Sequence, residues 1–84
     1  MNTPSGNERA FEAGKRRGRE EGERRATTSL FYTTEQLEEV SLGRAWDLVD
    51  TEPHETSILA SWWIEGFRAG YRVGVRNFMK EAAQ

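Results

Sequence analysis

Cysteine is absent from the 84 residues, so neither a disulfide nor a thiolate metal site can form, and a reducing compartment is compatible. Long apolar runs are absent as well. The longest charge-free, apolar-leaning stretch is Thr56–Ile64, far short of the ~20 residues that a membrane span needs, so no membrane association is expected. The opening MNTPSGNERAFEAG has neither a basic n-region nor an apolar h-region. No secretory leader is expected, and a cytoplasmic location is the default. No long apolar/polar alternation of the kind that marks strands occurs.

Catalytic material is equally scarce. The single histidine, His54, stands between Pro53 and Glu55 with no partner at metal-ligand spacing, and reads as an exposed turn residue. No Ser/His/Asp set, Walker loop or Rossmann fingerprint is present. The paired carboxylates Glu20-Glu21 and Glu38-Glu39 read as helix-surface groups with no apolar pocket to perturb them. The chain is therefore not expected to be an enzyme, nor to hold a cofactor or a metal.

Glycine is what the sequence has in an unusual arrangement. Gly14, Gly18 and Gly22 recur every four residues near one end, and Gly66, Gly70 and Gly74 do the same near the other. Phe11–Gly18, FEAGKRRG, and Phe67–Gly74, FRAGYRVG, share F-x-A-G-x-R-x-G. Both tracts otherwise read as helix, where each glycine costs ~1 kcal/mol relative to alanine.

Helix signals bracket these tracts. Ser5-Gly-Asn-Glu8 fits a capping box and opens a helix over about 6–25, with residues 1–6 frayed. Its charges form i,i+4 ladders such as Arg17 to Glu21 and Glu21 to Arg25, each worth ~0.2–0.5 kcal/mol. Residues 26–29 form a loop and Leu30-Phe31-Tyr32 a short apolar tether. A second box, Thr33-Thr-Glu-Gln36, opens a helix over 33–50, with Tyr32 and Leu37 at the hydrophobic-staple positions. Leu37, Val40, Ala45, Leu48 and Val49 are its inner residues, Leu42 and Trp46 a second apolar edge, and Gly43 a point where it can bend or break. A turn at Asp50–Pro53 precedes a third helix over 54–81. The fold class is all-α: a three-helix hairpin or bundle in one small domain, 1–84.

Steps of four residues advance ~40° past a full turn and sort the third helix into stripes. One holds Trp62, Gly66, Gly70, Gly74 and Phe78, the next Trp63, Phe67, Tyr71, Val75 and Met79. A basic stripe, Arg68, Arg72, Arg76 and Lys80, lies ~200° from the glycines and is expected to face water. The first helix has a longer small stripe, Ala10, Gly14, Gly18, Gly22 and Ala26, and Phe11 as its one large apolar residue. Such a helix can press a narrow groove against something bulky or approach another backbone closely, the geometry that small-x-x-x-small rows use in membranes. Helices 1 and 3 are accordingly expected to pack through their Gly-x-x-x-Gly rows, with Trp62, Trp63, Phe67 and Tyr71 as the donors of bulk and helix 2 as a cap.

Charge divides the same way. Residues 1–26 carry net +2, residues 27–59 net −6 with Arg44 as the sole cation, and residues 60–84 net +2. Segments so charged attract one another. Of the adjacent Trp62 and Trp63, pointing ~100° apart, one can be left exposed as an interface anchor.

The tract Glu65–Gly74, EGFRAGYRVG, resembles segments of small orphan proteins of actinobacteria and their phages, and is distantly similar to the glycine-repeat helix of the flagellar export stator family. The likeness covers this tract alone, and the second helix matches neither. The phage resemblance implies an accessory factor that acts by binding a host or phage protein, and assigns no role to any residue. The expected function is a non-enzymatic protein–protein interaction module, regulatory in character and self-associating, with a dimer favoured. The rival is a nucleic-acid-binding regulator that uses Arg68, Arg72, Arg76 and Lys80.

Overall fold

A computed structural model describes residues 5–26 and 32–82. Three helices and no strand occur among them: α1 (Gly6–Arg24), α2 (Thr34–Leu48) and α3 (Ser57–Ala82), with one turn of 3-10 helix, Val49–Thr51, after α2. The chain is all-α, as its periodicity predicts. Of the stretch 1–6 expected to fray, Ser5 is the cap of α1 and Gly6 its first residue, and of the loop expected at 26–29, Ala26 is helical and buried; residues 1–4 and 27–29 and the tether residues Leu30 and Phe31 lie outside the described residues.

The caps explain where the helices begin. Ser5 Oγ accepts from the Glu8 amide at 3.2 Å. The Thr33 box is complete: the Gln36 amide donates to Thr33 Oγ1 at 3.1 Å, and the Thr33 amide to Gln36 Oε1 at 2.9 Å. Helix α3 starts at Ser57 rather than at 54, because Thr56 is its cap, with Oγ1 accepting from the Leu59 amide at 3.1 Å. Gly43 neither breaks nor ends α2.

Helices α1 and α3 run parallel and pack through their glycine rows. A Cβ placed on Gly14 would lie 2.8 Å from the carbonyl carbon of Trp63; on Gly18, 2.8 Å from that of Phe67; on Gly22, 3.1 Å from that of Tyr71. In return, a Cβ on Gly66 would meet the carbonyl carbon of Phe11 at 2.8 Å, on Gly70 that of Lys15 at 2.8 Å, and on Gly74 the Glu23 amide nitrogen at 2.9 Å. Each glycine thus directs a Cα–H at a carbonyl of the facing helix. Such contacts are weak individually, ~0.5–1 kcal/mol, and recur here at every step of the seam. The bulk opposite the glycines is therefore backbone, not the rings of Trp62, Trp63, Phe67 and Tyr71.

This pattern sets Gly14 abreast of Gly66, Gly18 of Gly70 and Gly22 of Gly74. The folded register is one four-residue step away from the register of the shared F-x-A-G-x-R-x-G. It also has two-fold pseudosymmetry: every glycine stands against the carbonyl of the residue three before its counterpart.

Helix α2 returns antiparallel and covers one flank of the pair. Its Ala45 and Leu48, with Val49, join Trp63, Ile64, Phe67, Tyr71 and Val75 in the buried core. The rings of Trp63, Phe67 and Tyr71 form a ladder along α3, with centroids 5.3 and 6.1 Å apart. Of the second apolar edge expected on α2, Leu42 packs at the margin of the core, but Trp46 is left 62% exposed. Its direction explains why: Trp46 lies ~100° from Ala45, away from α3.

Candidate interaction surface

The pseudosymmetry of the α1–α3 pair gives it two equivalent flanks. On the flank covered by α2, the α3 wall is Trp63, Phe67 and Tyr71. The matching residues on the other flank are Phe11, Lys15 and Arg19 of α1, whose carbonyls oppose Gly66, Gly70 and Gly74. Two adjoining concavities run along it. One is lined by Glu8, Arg9, Phe11, Glu12, Arg16 and Trp62, the other by Glu12, Lys15, Arg16, Arg19, Gly70 and Val73. No α2 residue lines either. This open groove holds an aromatic step at one end, where Phe11 meets Trp62 edge to face at 6.4 Å. Trp62 remains 43% exposed, whereas its neighbour Trp63 is buried. At the other end lie the exposed cations Lys15, Arg16 and Arg19, which take part in no ion pair among the described residues.

The covered flank shows how this pair of helices holds a third. Glu38 of α2 reaches between Arg68 and Arg72, at 3.0 Å to Arg68 Nη2 and in close contact with Arg72 Nη1. Half of the basic stripe expected to face water is thus turned toward α2. Arg76 and Lys80 are exposed. Met79, on the neighbouring stripe, is 45% exposed. The cause lies in the stripes: α2 sits over the aromatic row, and the arginine row is next to it.

The opposite tie corrects the reading of Glu20-Glu21 as surface carboxylates: Glu20 is exposed, but Glu21 is buried, because its position beside Gly22 turns it toward α2. Glu21 of α1 has a side chain 1% exposed, ringed by Arg17 (3.6 Å), Arg24 (3.1 Å), Arg25 (3.5 Å) and Arg44 of α2 (3.2 Å). A buried carboxylate persists only with such compensation. Two signals pointed at it: Glu21 stands beside the inward Gly22, and Arg44 is the one cation of the acidic segment. The i,i+4 ladders do not single it out.

His54 is not an exposed turn residue. Its ring is half-buried, with Nε2 2.7 Å from the Val49 carbonyl oxygen and the ring edge-on to Trp63 at 5.7 Å. Trp63 Nε1 donates to Glu52 Oε2 at 2.9 Å. These contacts close the base of the bundle under α3. Among the described residues no group of three or more His, Asp or Glu could hold a metal. None of their helices is long and apolar enough to cross a membrane.

The fold and surface define a class: a parallel helix pair joined by a backbone seam, with one flank filled by its own helix and one flank open. No family model, curated protein or solved structure matches the chain.

Proposed function

We propose that the chain is a non-enzymatic interaction module, an accessory or regulatory factor that receives an acidic amphipathic helix in the open groove between α1 and α3. The supporting observation is the equivalence of the two flanks. One already holds an acidic helix, with apolar residues on the aromatic wall and Glu38 between two arginines. The other offers Phe11 and Trp62 as an apolar anchor and Lys15, Arg16 and Arg19 as cations. Aromatic and arginine residues are the usual energetic centres of such contacts, and a helix laid in an apolar groove is a recurring mode of recognition. Nucleic-acid binding through the α3 stripe has less support, since Arg68 and Arg72 are engaged by Glu38.

The test is a titration of the full chain with a synthetic peptide of residues 33–50, an acidic helix that already fits one flank. Its expected effect is on the Trp62 indole and the amides around Phe11, Lys15 and Arg19, weakening with salt and lost in Trp62→Ala. A peptide that leaves the Trp62 resonance unmoved while perturbing the Arg76–Lys80 end would contradict the reading.

A further inference from the structure

The glycine of α2 has no place in the seam. Gly43 lies inside α2, is exposed, and a Cβ there would meet nothing within 4 Å. Three residues on is Trp46, the most exposed aromatic residue described. Glu35, Glu39, Gly43 and Trp46 fall within ~80° of one another around α2 and are all exposed, and Asp50, also exposed, follows in the 3-10 turn at its end. They form an acidic outer stripe with a tryptophan beside a side-chain-free notch. Neither folding nor the covered flank uses it.

We infer that this stripe is the mate of the open groove on a second copy of the chain. Chemistry on the two sides matches. The stripe carries Glu35, Glu39 and Trp46, with Asp50 just beyond its end; the groove carries Lys15, Arg16 and Arg19 beside Phe11 and Trp62. Glu39 and Glu35 meet the cations, as Glu38 meets Arg68 and Arg72 within the chain, and Trp46 reaches the Phe11–Trp62 step. Gly43 lets the walls of the groove close on the helix where a side chain would hold them off. The stripe and the groove lie on opposite sides of the molecule, so the contact is head-to-tail and passes from copy to copy instead of closing as a symmetric pair. This inference rests on the open groove being a helix site.

Sedimentation velocity on the full chain tests it, at several concentrations and at low and high salt. Parent protein grows in mass with concentration without a plateau at dimer, and salt reverses the growth. Trp46→Glu removes the stripe and Trp62→Glu the groove, and each variant alone sediments as a monomer with its helical melt intact. Mixed, they form a one-to-one pair and nothing larger, since one retains the groove and the other the stripe. Gly43→Leu weakens assembly by about 30-fold or more, the scale of an interface hot spot, without lowering the melting midpoint. A closed dimer indifferent to Trp46→Glu overturns the inference, as does a mixture that stays monomeric. If the parent is monomeric throughout while the 33–50 peptide still shifts Trp62, self-docking fails and the groove reading stands. If the peptide also leaves Trp62 unmoved, both fail.

Discussion

Helix α3 meets its two neighbours by opposite means. Toward α1 it presents glycines, and the contact is backbone on backbone. Toward α2 it presents Trp63, Phe67 and Tyr71, and the contact is ring on aliphatic side chain. The first interface is fixed by what is missing, so an added atom should harm it. The second is fixed by volume, so a removed atom should harm it. The same contrast sets specificity. A seam of carbonyls and Cα–H groups has a four-residue period, and the small row that runs from Ala10 through α1 to Ala26 just beyond it has five members to the three glycines of α3. The seam alone is therefore a weak guide to register. The ties from Glu21 to Arg44 and from Arg68 and Arg72 to Glu38 run between side chains of fixed position and select one step.

The strongest way to break the side-chain interface is Trp63→Ala. It empties a fully buried site and strands the Glu52 carboxylate, and should cost about 3–5 kcal/mol in a denaturant melt. A loss under 1 kcal/mol would mean that the ladder is not the core. Next is Glu21→Gln, which keeps the shape and removes the charge that gathers four arginines. Those arginines reach solvent, so the cost is below that of a sealed pair, about 1–2 kcal/mol in a thermal melt. Arg44→Gln in the same background should add little, and a fully additive loss would show that the two do not act together. The smallest effect is expected at Glu38→Gln, about 0.5–1 kcal/mol and diminished by high salt, because Arg68 and Arg72 are partly exposed. An effect unchanged by salt would place its origin in packing rather than charge.

Much of this contrast was legible in the chain. The glycine rows, with a period that only a helix can align, gave the α1–α3 contact. The Thr33 box gave the start of α2 to the residue. The start of α3 was not legible, because Pro53 is a good first-turn residue and Thr56 lacks the Glu or Gln that would complete a box. Stripes within a helix say which residues share a face, not what lies opposite. So the glycines were readable as a contact, but not that carbonyls rather than rings would fill it. The open groove was hidden for the same reason. Phe11 and Trp62 are distant in sequence, and their meeting follows from a register that the shared motif misstates by one turn. Trp46 read as an edge of the core because its distance from Ala45 around α2 matters only once α3 is placed.

The central claim is that the seam has no room for a Cβ, and three alanines test it most directly. Gly18→Ala and Gly70→Ala put a methyl against backbone, while Gly43→Ala puts one in open space. All three carry the same gain in helix propensity, so that term is common to them. In urea melts at one pH and salt, Gly43→Ala should stabilise by about 0.4–1 kcal/mol. Gly18→Ala and Gly70→Ala should each destabilise by about 1–3 kcal/mol, as overpacking does. Stabilisation at all three positions would contradict the account.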